Sequence, residues 1–487
     1  MTWTRFFACA AFIAVSDLGP AVSAAQRPNF VFIYTDDQRW DALGVVQKEQ
    51  QDAARFPWFQ TPHLDRLAAE GVRFRNAFVV CSLCSPSRAA LLTGRYNHHN
   101  GIINNHTPFP VDAVTWPSLL RAAGYTTGYV GKWHMNGQTG KRPGFDYSAS
   151  FIGQGRYVDC PFEIDGKATP TSGWVDDVST DFAIEFIKRH RERPFALIVG
   201  FKSAHGPFDP PPRLAEKYAG AVAKKVPNYD LPAIYKGEFD GGQPAAKGKK
   251  AGKKGGGKKA AGAAQGAVDG PGKMRGYFGC LAAVDENVGK LLATLDELKL
   301  AENTVVVFTS DNGFYFGEHT LGDKRSAYEE SLRVPLLVRC PLLGAAAKGK
   351  LIDQMALNID LAPTLLDLAG VKIPDEMQGA SWRPLLEGKQ PPWRQSFFYE
   401  YFYERPYAIP TLLAVRTAEA KLIRYPGHDD WTELFDLKTD PYETKNLAGD
   451  PAAKDLLAKM QAEFDSQQGA TGYFVPEFAD KAPEQTP

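Results

Sequence analysis

The chain has 487 residues, 44% hydrophobic and 23% charged, and 56 Lys+Arg balance 56 Asp+Glu. That length suits one large α/β domain with a smaller companion, or roughly three ordinary domains. The apolar fraction excludes a wholly disordered chain, and zero net charge excludes a chain built as a whole to bind nucleic acid. Six cysteines are too few for a disulfide scaffold.

The N-terminus carries Arg5, an apolar run Phe6–Val15 and small residues at Val22-Ser23-Ala24. The run is too short to span a bilayer. The pattern predicts a signal peptide over 1–24 and an exported protein, periplasmic or secreted. No later segment is long and apolar enough for a membrane helix. Cys9 leaves with the signal, and Cys81, Cys84, Cys160, Cys280 and Cys340 remain. Five is odd, so at least one stays outside any disulfide.

Asn29–Thr35 (NFVFIYT) is a continuous apolar run, as expected for a strand buried on both faces. Asp36 and Asp37 follow it. Thr61–Glu70 has helical spacing and stops at Gly71, and Trp116–Ala123 does the same before Gly124. Between them lies CSLCSPSRAALLTGRYNHHNG, residues 81–101. Ser85 suits a helix cap, Pro86 the first helical position and Gly94 the end. Cys84 is then expected just before a helix N-terminus, where unpaired N–H groups and the helix dipole favour an oxyanion. Arg88 projects from the first turn. Cys81 and Cys84 also form a C-x-x-C, open to reading as a redox pair or half a metal site.

Tyr125–Val130, Phe195–Phe201 and Thr304–Ser310 read as further buried strands. They lead respectively into Lys132 and His134, into His205, and into Asp311 and Asn312 with Lys324 beyond. Residues 241–270 are almost only Gly, Ala, Lys and Gln, with seven Lys and one Asp. Such a stretch cannot bury enough apolar area to offset its ordering entropy, and it reads as a disordered insertion. Its charge of +6 leaves −6 on the remainder. Arg275–Leu298 and Ile359–Ala369 have helical patterns. Strands alternating with helices predict a mostly parallel sheet covered on both faces. After about residue 385 the pattern alternates apolar and polar residues, which predicts a C-terminal α+β subdomain (385–487) with an antiparallel sheet and a last helix over Pro451–Gln467. The aromatics Phe397, Phe398, Tyr399, Tyr401, Phe402, Tyr403 and Tyr407 are open to two readings, core or stacking faces for sugar rings.

Ligands in open parallel sheets sit at the carboxyl ends of strands. Four predicted ends deliver Asp36, Asp37, Asp311, Asn312, His134, His205, Lys132 and Lys324 to one edge. Taken singly, an Asp-Asp pair is a turn or a cap, a lone His is structural, and the Lys are solvated. Together, three carboxylates and an amide oxygen form a hard oxygen site for Ca²⁺ or Mg²⁺. A divalent cation is expected to hold the three charges together. Without a cysteine cluster at zinc spacing, structural zinc is not expected.

Cys84–Arg95, CSPSRAALLTGR, resembles the type I sulfatase signature, C-x-P-S-R followed by L-x-T-G-R. TDDQRWDALG, TPHLDRLAAEG, GKWH, the His205 segment, SDNG, DKRSAYEESLRVP and ELFDLKTDPYETKNLA extend the resemblance over most of the chain, the 241–270 insertion excepted. The resemblance implies an alkaline-phosphatase-like catalytic domain (25–384). It implies conversion of Cys84 to Cα-formylglycine by a formylglycine-generating or equivalent maturation enzyme. It implies one Ca²⁺ on Asp36, Asp37, Asp311, Asn312 and residue 84. The hydrated aldehyde would attack sulfur with one hydroxyl, and loss of the second hydroxyl's proton would expel sulfate. Lys132 and Lys324 would neutralise sulfate oxygens and Arg88 would stabilise the diol. His205 would protonate the leaving oxygen, and His134 would orient or deprotonate the diol, a base role Asp311 could share. TDDQRWDALG and DKRSAYEESLRVP are most similar to bacterial polysaccharide sulfatases, including the N-acetylglucosamine-6-O-sulfatase group, so a sulfated carbohydrate is the expected substrate. The competing expectations are a phosphate or phosphonate ester hydrolase with the same nucleophile, and an inactive glycan-binding protein.

Overall fold

A computed structural model of the chain describes residues 27–136, 138–239 and 271–477. The expected signal segment 1–24 and the 241–270 insertion lie outside them. The main sheet has ten strands. Across it run Lys350–Ile352, Val72–Phe74, Leu336–Arg339, Thr304–Ser310, Asn29–Thr35, Phe195–Gly200, Thr126–Lys132, Tyr147–Phe151, Phe162–Ile164 and Lys167–Thr169. From Thr304–Ser310 to Tyr147–Phe151 the five central strands are parallel. Leu336–Arg339 and Phe162–Ile164 join them antiparallel.

The central strands are apolar throughout because both sheet faces are covered. Successive side chains of a strand point to opposite faces. Phe30, Phe32 and Tyr34 accordingly enter one hydrophobic core, and Val31 and Ile33 enter the other. Val305 and Val307 divide from Val306 and Phe308 in the same way. The second core is closed by the helices Pro62–Glu70, Val175–His190 and Pro271–Glu297. The first is closed by the helices Cys84–Thr93, Trp116–Ala122 and Leu361–Leu368.

A four-stranded antiparallel sheet follows in the order Ser396–Tyr401, Leu412–Thr417, Ala420–Arg424 and Glu433–Asp436. The helix Lys454–Ala470 buries Met460 and Phe464 against it. Phe397, Phe398 and Tyr399 belong to the same hydrophobic core as Phe32 and Tyr34, so the second sheet is packed into the first body. Among the described residues no helix is long and apolar enough to cross a membrane.

Candidate active site

Four adjacent parallel strands, Thr304–Ser310, Asn29–Thr35, Phe195–Gly200 and Thr126–Lys132, end at one edge of the sheet. Their C-terminal ends carry Asp311 and Asn312, Asp36 and Asp37, His205, and Lys132 and His134. The register aligns them: Thr35 faces Ser310, Tyr34 faces Gly200, and Gly131 faces Gly200. A Cβ on Gly131, whose φ is +93°, would lie 2.1 Å from the Gly200 carbonyl oxygen. Only glycine lets these two strands approach so closely. Asp37 (φ 65°) and His134 (φ 50°) take left-handed backbone. That conformation is disfavoured for residues other than glycine and clusters at functional sites.

The helix Cys84–Thr93 is buried along its whole length and ends at Gly94, whose left-handed backbone closes it. Cys84 is the helix's first residue, not the one before it, and Ser85 is not its cap. The Ser85 hydroxyl donates to the His134 carbonyl (2.5 Å), and the Asn105 side chain accepts the Ser85 N–H (3.0 Å). A longer-range partner thus replaces the local cap. Cys84 Sγ lies 3.5 Å from Asp36 Oδ1. Arg88 donates Nε and Nη2 to Asp311 Oδ2 (2.9 and 2.7 Å) and Nη1 to the Lys132 carbonyl (2.6 Å). Its Nη2 is also 3.3 Å from Asp36.

All ten residues singled out from the sequence meet here. Asp36, Asp37 and Asp311 present oxygens within 4.8 Å of one another, and Asp36, Cys84 and His205 form a second such triplet. Lys132 pairs with Asp36, Lys324 with Asp37 (2.8 Å), and Asn312 Nδ2 donates to Asp37 Oδ1 (2.6 Å). Three cations, Lys132, Lys324 and Arg88, therefore surround the three carboxylates. Burial would raise the Asp36 carboxyl, but Lys132, His205, Arg88 and Lys324 outweigh it and hold it well below the usual carboxylate range. Burial, with Asp36 and Asp311 nearby, pushes Asp37 up to about 7 against the pull of Lys324. Burial and then Asp36 raise Asp311. Burial and then Lys132 keep both His134 and His205 well below the ordinary histidine value, so both rings are neutral near pH 7.

The donors fit a hard divalent cation. The set is all oxygen from carboxylates and an amide, and Asn312 Oδ1 is buried without a hydrogen-bond partner among the described residues. Adding +2 to a balanced cluster would leave the site positive, which suits an anionic ester.

A family model described as sulfatase matches residues 28–371, and one described as N-sulphoglucosamine sulphohydrolase, C-terminal, matches 317–470. The chain belongs to the sulfatase family. It is 34% identical to the N-acetylglucosamine-6-O-sulfatase of Bacteroides thetaiotaomicron, over 94% of this chain and 89% of that one. A solved protein in complex with its substrate D-glucosamine-2-N,6-O-disulfate superposes with a TM-score of 0.80 at 30% identity, covering 94% of this chain and all (100%) of the other. A phosphonate monoester hydrolase of Agrobacterium radiobacter shares the fold, with a TM-score of 0.71 at 24% identity over 91% of this chain and 96% of that one. The protein is a sulfuric ester hydrolase on an alkaline-phosphatase-like fold.

Other expectations for this sulfatase resolve as follows. Cys81, Cys84, Cys160, Cys280 and Cys340 are all buried and unpaired, so the C-x-x-C forms no disulfide. Phe397, Phe398, Tyr399, Tyr401 and Phe402 are buried core, not stacking faces. Tyr407 lies under the Arg325 guanidinium (3.3 Å). Three residues escaped sequence reasoning. Gln154 touches both Lys132 and His134. Lys202 donates to the Gln154 carbonyl (2.9 Å). Asp176 accepts the N–H groups of Lys202 and Ser203 (2.8 and 3.0 Å) and so fixes the loop that bears His205. Gln154 stands just past the strand Tyr147–Phe151, whose YSASF has no apolar run to mark it. Had that strand been recognised, its carboxyl end would have been the place to look.

Proposed function

We propose that this sulfatase removes sulfate from a sulfated amino sugar of the N-acetylglucosamine-6-sulfate type, within glycosaminoglycan-like material. The observation that carries the reading is the 34% identity, over 94% of the chain, to an N-acetylglucosamine-6-O-sulfatase. The solved relative bound to a 6-O-sulfated glucosamine supports it.

Converted to Cα-formylglycine, residue 84 would supply a hydrated aldehyde whose hydroxyl attacks sulfur. A Ca²⁺ held by Asp36, Asp37, Asp311 and Asn312 with residue 84 would supply a Lewis acid for the sulfate oxygens. The chain's own groups do the rest. Lys132, paired with Asp36, and Lys324, paired with Asp37, meet the anionic oxygens. Arg88, locked on Asp311, presents its charge at the helix N-terminus beside residue 84. His205, which offers a ring nitrogen within 4.8 Å of Asp36 and Cys84 donor atoms, would pass a proton to the leaving oxygen once the bound anionic ester favours the protonated ring. His134 stands against Ser85 and orients the nucleophile. Export after loss of residues 1–24, and conversion of Cys84 by a formylglycine-generating or equivalent maturation enzyme, complete the proposal. The support for export is the Arg5 and Phe6–Val15 pattern.

Sulfate release is measured on N-acetylglucosamine-6-sulfate and glucosamine-2-N,6-O-disulfate, beside phosphate and phosphonate esters. Release from the 6-O-sulfated sugars, lost in Cys84→Ala while sugar binding persists, is the expected result. Preference for the phosphorus esters, or unmodified cysteine at position 84 by mass spectrometry of protein from its native host, would sink the reading.

A further inference from the structure

Gln154 is the polar bridge between two groups of the site. Its Oε1 accepts from Lys132 Nζ, and its Nε2 lies 3.1 Å from His134 Nε2. Distance alone does not tell an amide oxygen from its nitrogen. The chemistry of the partner does. A lysine ammonium has donors and no acceptor, so the atom it touches is the oxygen. The atom facing His134 is then the NH₂, which also only donates. His134 Nε2 must accept, and in a neutral imidazole the proton then sits on Nδ1. His134 Nδ1 is buried and has no hydrogen-bond partner among the described residues. Buried donors without partners are exceptional in folded proteins. This one belongs to a residue whose carbonyl holds Ser85, next to position 84. Lys202 clamps the Gln154 carbonyl and so fixes the loop from the other side.

We propose that Gln154 is a positioning residue that sets His134 as its neutral Nδ1–H tautomer, making that ring a hydrogen-bond donor to the reacting group and not its base. The inference rests on the reading of the site given under Proposed function. It assigns His134 the orienting task and leaves proton removal to other groups. Burial and the charges of Lys132 and Arg88 oppose a second proton on the ring, in agreement with that tautomer.

The test uses the full Ca²⁺-loaded, matured enzyme labelled with ¹⁵N-histidine. Long-range ¹H–¹⁵N correlation reads each ring nitrogen as pyridine-type or pyrrole-type, and loss of signals in His134→Ala assigns the ring. In the wild type Nε2 is expected pyridine-type and Nδ1 pyrrole-type. In Gln154→Glu a carboxylate faces Nε2, which should become pyrrole-type, with kcat lower by about 10²-fold and KM little changed. In Gln154→Leu, Nε2 should move to an averaged shift. A protonated Nε2 in the wild type overturns the proposal, as does a His134 spectrum unchanged in both variants. If Gln154→Glu fails to fold, the wild type and Gln154→Leu decide it. An enzyme inactive on every sulfated sugar would overturn the substrate reading and leave the tautomer still readable, so the two failures are distinct.

Discussion

Arg88 shows how much of the site hangs on one side chain. It is buried, forks onto Asp311, reaches Asp36 and holds the Lys132 carbonyl. Arg88→Ala would leave the Asp311 carboxylate buried without its cation, and removing one partner of such a pair costs about 3–5 kcal/mol. Urea denaturation of both proteins checks this. Arg88→Lys should recover part of the stability but not the fork, because an ammonium is a point charge without the planar, rigid donor array of a guanidinium. A second buried group predicts a pH effect away from the site. Burial lifts Glu433 from its ordinary 4.5 to about 7, against hydrogen bonds from the Tyr425 and Tyr328 hydroxyls. The folded protein therefore keeps this proton longer than the unfolded chain does. The contribution is complete below pH 4.5 and is lost as pH rises to about 7, a difference of about 3 kcal/mol. Glu433→Gln should remove it: stability close to wild type at pH 4, higher by a few kcal/mol at pH 8, read from urea midpoints across pH.

The strands carry these groups only because they lie at close register. Gly131→Ala would drive a methyl into the Gly200 carbonyl and strain a left-handed residue. A loss of about 3 kcal/mol or more is expected, with a fall in sulfatase activity, measured by thermal unfolding and turnover. At this scale the sequence was most legible where a run of apolar residues is both continuous and bounded. Asn29–Thr35 and Thr304–Ser310 are read from it residue for residue. Thr126–Lys132 is longer than its apolar stretch. Pairing carries Gly131 into the strand on both sides and Lys132 on one, and buried Lys132 is ion-paired with Asp36. Eight of the ten site residues were legible because strand ends share one edge, and Cys84 and Arg88 because a helix start is marked at Ser85-Pro86. Gln154 and Asp176 were not, because their roles come from partners 20 or more residues away. Ser85 misled for the same reason: Asn105 accepts the N–H that a local cap would have used.

In the whole molecule the C-terminal sheet braces the segment that carries Cys84. The strand Ser396–Tyr401 donates the Glu400 N–H to the Val80 carbonyl (3.0 Å), and the Tyr399 hydroxyl accepts from the Ser82 N–H (3.2 Å). Beyond the helix Cys84–Thr93, the Glu400 carboxylate takes the N–H groups of Asn97 and His98 and meets His98 Nδ1 at 2.7 Å. With the hydrophobic core shared as well, calorimetry is expected to show one cooperative transition, and a chain ending at residue 384 should not fold. Two separated transitions would contradict this. The same bracing orders events in time. Ribosomes make residue 84 more than three hundred residues before residue 396. In the folded protein the position 84 side chain has no exposed surface. Any enzyme that is to alter its thiol must therefore arrive while the chain is still open, and a protein that folds first is closed to it for as long as it stays folded.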